Sequence, residues 1–336
     1  MTAIRAIADA LPEHEVTNAD LGRQNPAWGI ELVAELTGIH ARRAAAADET
    51  AYDLSVRACE DLLAQPGLAG IEIDAILYCT QDPDHRVPGN AHLLHEQLGL
   101  GDDVLAFDYG LACSGFVYGL AFADSFVRTG MASEVLLVTA ETQSKRMHPG
   151  DRSVRVLLGD GAAVTHLSAR DSEGGRIVAT ELCTHGKGFK HAYIPAGGAR
   201  SPASTATKRE TIDRSGNVRT AEHLHMEGTD LWAFVNSTVP GHVERFLASN
   251  SLTLEDVDLC IFHQASKLIL DSLGKALGLP ADKLFSNLAN IGNLGSASIP
   301  FALTAALDEG RIQPGDRVLL CGFGAGISYG SALVEF

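Results

Sequence analysis

Three residues far apart in the chain have the types that acyl-transfer chemistry uses. Cys113 stands in GLACSGF after the apolar run VLAF, His263 in FHQAS after VDLCI, and Asn293 in NIGNLGS. A thiol placed where a strand turns into a helix meets the positive end of the helix macrodipole and free backbone N–H groups, which favour thiolate. A histidine and an asparagine together supply two neutral N–H donors, the pair needed at a thioester carbonyl oxygen that becomes an enolate. FGAGISYG, residues 323–330, is a Gly-rich turn whose backbone N–H groups, with that of Cys113, suit a second oxyanion site. It lacks the trailing Gly-Lys-Ser/Thr of a phosphate loop. Taken singly, each residue has a plainer reading: a buried thiol as a small hydrophobe, a satisfied histidine, a turn-forming asparagine. Their weight is joint.

The surrounding pattern is that of elements able to hold such groups. Phe116, Leu120, Ala123 and Val127 recur at helical spacing, and Gly130 closes the run. Residues 1–11 read as a first strand, 73–80 and 134–139 as apolar strands, and 257–266 as a strand entering a polar turn. Helices are expected from Asn18, up to Gly38, over 50–64 with Thr50 as N-cap, over 90–100, and over 266–279 ended by Gly278. Residues 154–169 read as a buried strand pair around a Gly-Asp-Gly turn, and 227–250 as a helical stretch interrupted near Pro240. The segment 170–225, polar and rich in Gly, Ser, Thr and Arg, reads as a long surface excursion. One internal echo stands out. Segments 104–139 and 284–321 both run strand, small-residue turn, helix, glycine, strand, with Cys113 in one turn and Asn293 in the other. Alternating strands and helices indicate an α/β fold, divided into an N-terminal half, 1–169, holding the thiol, and a C-terminal half, 170–336, holding His263 and Asn293.

Composition excludes several classes. The net charge of −16 opposes nucleic-acid binding. No apolar run reaches the length of a membrane span, and the first residues lack a secretory pattern, so a cytoplasmic protein is expected. The six cysteines are scattered without a CxxC pair, and Cys79, Cys260 and Cys321 end apolar runs as core residues would. No metal site is expected from such spacing.

The chain resembles the ketoacyl-acyl-carrier-protein synthase III group of the thiolase-fold condensing enzymes. The likeness runs from LPEHEVTNADL and ELTGIHARR through FDYGLACSGFVYGLAFADSFVRTG and LLGDGAA to FHQAS, NIGNLGSASIP and FGAGISYGSALVEF. It implies two similar halves in a five-layer αβαβα stack. It implies Cys113 as the acyl-accepting nucleophile, His263 and Asn293 as stabilisers of the enolate left when a malonyl thioester loses carbon dioxide, and the N–H groups of Cys113 and Ala325 as the oxyanion hole. Val87, Arg152, Met226, Gly228 and Trp232 fall at substrate-binding positions, Val87 on a loop that reaches a partner's acyl pocket in a homodimer. The substrates implied are thioesters of coenzyme A or acyl carrier protein, with no cofactor. The chain also departs from the group. Leu32 and Leu36 replace a Trp and an Arg that clamp adenine, whereas Arg152 is kept; Ser266, Leu268 and Ala233 occupy polar or basic places. The departures point to a specialised pathway. An alternative is transfer of the Cys113-bound acyl group to an oxygen or nitrogen nucleophile without decarboxylation.

Overall fold

The computed structural model of the chain describes residues 2–169 and 174–336. The expected boundary at 169/170 adjoins residues 170–173, which lie outside the described residues, as does the start of the 170–225 segment. Among the described residues nine strands form the main sheet: β1 (Ala3–Ala10), β2 (Ala75–Cys79), β3 (Leu105–Tyr109), β4 (Glu134–Glu141), β5 (Gly161–Ser168), β6 (Gly175–Thr184), β7 (Leu259–Phe262), β8 (Arg317–Phe323) and β9 (Ser328–Glu335). Their spatial order is β7-β8-β9-β6-β1-β5-β4-β2-β3.

That order contains a repeat. From β1 outward, pairing runs antiparallel to β5, antiparallel to β4, then parallel to β2 and β3. From β6 outward it runs antiparallel to β9, antiparallel to β8, then parallel to β7 and to Leu284, which bridges Cys260. The two halves join edge to edge where β1 pairs with β6. The short strand expected at 284 is thus reduced to a single bridge, with Phe285 N–H bonded to the Cys260 carbonyl at 3.1 Å.

The strands read as continuous apolar runs because helices cover both faces. In β4, Val135 and Leu137 point into one core while Leu136 and Val138 point into another; in β8, Val318 and Leu320 face inward while Leu319 and Cys321 face outward. Of the helices that cover them, α1 (Ile30–Thr37) lies on the rim and α2 (Ala51–Leu63), with α3 (Asn90–Gln97), covers the outside of the first half. Next come α4 (Gly115–Thr129), α5 (Gly228–Ser249), α6 (Lys267–Leu277) and α7 (Ser298–Asp308). α5 and α6 cover the outside of the second half, while α4 and α7 share one core with strands of both halves. The result is five layers, αβαβα, with Phe116, Leu120, Ile299 and Leu303 packed in the middle. Thr50 caps α2 through a reciprocal capping box with Asp53, and Gly130 and Gly278 end α4 and α6 in the left-handed region.

Three expectations are corrected. Residues 154–169 are not a strand pair: Arg152–Arg155 is a helical turn capped by Asp151, and only β5 is extended. The Asp160 carboxylate accepts from Ala45 N–H at 2.8 Å and from Ser144, so the Gly-Asp-Gly segment is a polar tether rather than a hairpin turn. The surface excursion contains β6, a central strand whose Ile177 is buried. Finally, α5 runs through Pro240 without a break. Burial of Val235, Val239, Val243, Phe246 and Leu247 along one face outweighs the ~3 kcal/mol that an internal proline costs.

Candidate active site

The functional groups sit just beyond strand ends. Cys113 follows β3 and immediately precedes Ser114, the residue at the N-cap of α4. His263 follows β7, Asn293 precedes α7, and Ala325 follows β8. Duplication places these βα turns side by side, so residues from 113 to 325 line one cavity of about 570 Å³. Leu157, Leu231, Phe234 and Phe323 are among its apolar walls, with Leu36 and Leu268, about half exposed, also contributing.

Close backbone approach fixes the thiol. A Cβ on Gly324 would stand 2.6 Å from the Cys113 Cβ and 2.8 Å from its Sγ; one on Gly322 would meet the Ser114 Cα at 2.8 Å. Only hydrogen lets the β8 end pass this near. Ser114 Oγ and Ser328 Oγ are 2.7 Å apart, tying the turn to β9. The backbone N–H groups of Cys113 and Ala325 act on the Cys113 thiol in the direction that favours thiolate, and both residues line the cavity.

The electrostatics overturn one expectation. Burial pushes the Cys113 thiol up to about 12, and the Glu141 carboxylate pushes in the same direction. The two N–H groups and the Arg146 guanidinium oppose this without reversing it. The resting sulfur is a thiol, because desolvation of a thiolate outweighs the donors facing it. Glu141 is itself raised by burial, while Arg146, 3.1 Å away, pulls it down; its other oxygen accepts from Ser296 at 2.9 Å.

Burial holds His263 down to about 3, so its imidazole is neutral. Its ring meets Phe323 edge-on at 5.7 Å, and its backbone N–H bonds to the Cys321 carbonyl at 2.9 Å. Its Nδ1 has no hydrogen-bond partner among the described residues. Asn293 is oriented by its oxygen: Oδ1 accepts from Gly295 N–H at 2.9 Å and Ser298 Oγ at 3.5 Å, which leaves the amide NH₂ for the cavity. Its backbone is clamped as well, with N–H to the Leu157 carbonyl and C=O accepting from Gly159 N–H, each at 2.9 Å. Gln143 Nε2 adds a 2.9 Å bond to the same Asn293 carbonyl.

Of the remaining positions marked in the sequence, Met226, Gly228 and Trp232 line the cavity, whereas Val87 and Arg152 do not. Val87 is 86% exposed on its loop, and Arg152 Nη1 bonds to the Trp28 carbonyl at 3.1 Å. Sequence reasoning missed Gln143, Phe323 and Glu141. Glu141 carried a signal, a lone acid closing the apolar run VLLVTAE; Gln143 carried none.

A duplicated five-layer stack with Cys, His and Asn converging between its halves defines the thiolase-fold acyl-thioester enzymes. The family description 3-oxoacyl-[acyl-carrier-protein] synthase III matches residues 107–186, and its C-terminal counterpart matches residues 247–336. The β-ketoacyl-[acyl-carrier-protein] synthase III of Symbiobacterium thermophilum is 37% identical over 99% of this chain and 97% of its own. A crystal structure of a 3-oxoacyl-(acyl-carrier-protein) synthase III superposes with a TM-score of 0.97 at 41% identity, covering 100% of this chain and 99% of the other. The priming β-ketosynthase of the R1128 polyketide pathway superposes at 0.85 with 27% identity, covering 100% and 96%. The chain belongs to the 3-oxoacyl-acyl-carrier-protein synthase III family. It is a condensing enzyme of the β-ketoacyl synthase III type. Among the described residues no helix is long and apolar enough to cross a membrane.

Proposed function

We propose that the chain loads an acyl group onto Cys113 and extends it by decarboxylative Claisen condensation with a malonyl thioester. The observation that carries this is the meeting in one cavity of the thiol, the N–H groups of Cys113 and Ala325, and two neutral side-chain donors on His263 and Asn293. In the first step Sγ attacks the donor thioester carbon, the C–S bond to the carrier breaks, and the thiol proton ends on the departing thiolate. The second thioester then loses carbon dioxide. Its enolate oxygen is held by the His263 and Asn293 N–H groups, which bind charge absent from the ground state. The enolate carbon attacks the acyl-Cys113 carbon, a C–C bond forms, and Cys113 leaves with the electron pair and regains a proton. A neutral His263 suits this role, since it donates one N–H without offering a charge to bind the carboxylate that must leave.

The substrates of this reading are acyl-coenzyme A or acyl-carrier-protein thioesters, with no cofactor, and the active form is a homodimer. Support for a specialised acyl group or pathway comes from the apolar Leu36 and Leu268 beside the cavity and from Ala233, where the family resemblance leads one to expect polar or basic contacts. The experiment is acylation by a panel of acyl-coenzyme A thioesters, read by intact mass, together with labelled carbon dioxide release from malonyl thioesters. Cys113→Ala should carry no acyl adduct; His263→Ala should acylate but release no carbon dioxide. Ready acylation of the wild type without carbon dioxide release from any malonyl thioester would replace condensation with simple acyl transfer.

A further inference from the structure

Outside the cavity, three potential metal ligands converge between β6 and α5. Glu181 and Cys183 lie two residues apart on β6, which puts them on one face. His242 reaches them from α5. The His242 Nδ1 is 3.3 Å from Glu181 Oε1 and 3.9 Å from Cys183 Sγ, and Cys183 Sγ is 3.9 Å from the same Glu181 oxygen. A tetrahedral zinc ion with one sulfur, one nitrogen and one oxygen ligand at ordinary bond lengths has donor-to-donor edges of about 3.3–3.6 Å. The observed triangle needs a closure of only a few tenths of an ångström to become one face of that tetrahedron.

We propose that Glu181, Cys183 and His242 form a binding site for a borderline divalent cation of the zinc class. Both donors approach the same ring nitrogen of His242. A Cys-His-Glu catalytic relay would instead place the acid on the opposite nitrogen. Here that nitrogen, Nε2, lies 3.0 Å from Ser331 Oγ. The tautomer that donates Nε2–H to Ser331 aims the Nδ1 lone pair at the thiol and carboxylate, the orientation that outer-sphere hydrogen bonds give metal-binding histidines. A thiolate and a carboxylate balance the charge of a divalent ion. His242 is fully buried while the Glu181 side chain is 35% exposed, so an entry path exists and one coordination position is left for water. None of the three residues lines the acyl cavity. The ion would clamp β6 to the helix that supplies Trp232, Phe234 and Val235 to the cavity wall.

The test is titration of reduced, chelator-treated full-length protein with Co²⁺, followed by displacement with Zn²⁺. One equivalent of Co²⁺ should produce a sulfur-to-cobalt charge-transfer band in the near ultraviolet. Cys183→Ser should remove the band, Cys113→Ala should keep it, and Glu181→Gln should weaken binding at least tenfold. Zn²⁺ should bleach the cobalt spectrum and raise the melting temperature of wild type but not of Cys183→Ser. A missing band, a band that survives Cys183→Ser, or one lost in Cys113→Ala overturns the proposal and leaves Glu181, Cys183 and His242 as a polar contact only.

Discussion

Replacing Gly324 with alanine tests whether the reactive sulfur is held in place by backbone proximity. The added methyl would lie 2.6 Å from the Cys113 Cβ, 2.8 Å from Sγ and 3.5 Å from the Cys113 backbone nitrogen. Carbon atoms in contact prefer about 3.5–4.0 Å, so the first of these falls short by roughly 1 Å. The β8 end cannot retreat freely. Gly324 N–H is bonded to the Ser328 carbonyl at 3.1 Å, and Ser328 is tied to Ser114. Relief therefore comes from the Cys113 side chain, which moves away from the N–H groups of Cys113 and Ala325. Overpacking of this kind costs roughly 1–3 kcal/mol of stability. A shift of ~1 Å at a reacting atom costs on the order of 10²-fold in rate. The assay is the second-order rate of acyl-enzyme formation by intact-mass kinetics, alongside thermal melting. Gly278→Ala is the control: its φ is +65° and nothing lies within 4 Å of the new methyl. That variant should lose ~1–2 kcal/mol to backbone strain and acylate normally. Acylation of Gly324→Ala within twofold of wild type would refute the reasoning.

Three further substitutions probe the surrounding charges. Asn293→Asp should still acylate, but a carboxylate facing the enolate should cut carbon dioxide release from a malonyl thioester by about 10²–10³-fold; a loss under tenfold contradicts the role given to Asn293. Glu141→Gln removes the charge that pushes the Cys113 thiol up, while Arg146 keeps its 2.6 Å pair with Asp82. The pH midpoint for alkylation of Cys113 should fall by roughly one unit, and an unchanged midpoint would show that Glu141 does not act on the thiol. His263, held at about 3 by burial, makes stability depend on acidity. The unfolded chain binds its proton near pH 6.5 and the folded chain refuses it, so this contribution is whole above that pH and is lost as pH falls toward 3. Asp9, raised by burial to about 6, acts with the opposite sign, favouring the folded state below pH 4 and losing that effect as pH rises through 6. It is present in every variant. The difference in unfolding free energy between pH 7 and pH 5 should therefore be smaller in His263→Ala than in wild type by about 2 kcal/mol in denaturant melts. Equal differences would mean that His263 takes up a proton in the folded state.

Local signals carried most of the fold because they are enforced locally. Thr50 and Asp53 cap one another, Gly130 and Gly278 adopt the left-handed conformation that stops a helix, and β4 and β8 are apolar on both faces. Where tertiary contacts override local preference, the reading failed. Pro240 should break a helix, and does not because its neighbours are buried against the sheet. Residues 175–184, read as part of a surface loop, become a central strand because β1 and β9 flank them. At the site, motif singled out Cys113, His263 and Asn293, the internal echo added weight to Cys113 and Asn293, and the Gly-rich turn pointed to Ala325; the structure brings all four to one cavity. The raised pKa of Cys113 was not, since desolvation depends on every element that closes over the sulfur. Gln143 and the Glu181–Cys183–His242 triangle were equally invisible, the latter because 59 residues separate its last two members.

The middle layer has a consequence for amide hydrogen exchange. Through its first half α4 buries Phe116, Val117, Gly119, Leu120 and Ala121 and leaves only Tyr118 and Phe122 partly exposed, so most of its amides there meet deuterium only when the two sheets part, an event that costs close to the free energy of global unfolding. At the rim, α1 has no buried residue and can open alone. The exchange map should therefore run from minutes at the cavity's edge to the slowest class in the molecule at its floor: the entrance fluctuates, while the helix that begins beside the nucleophile stays shut for as long as the protein is folded.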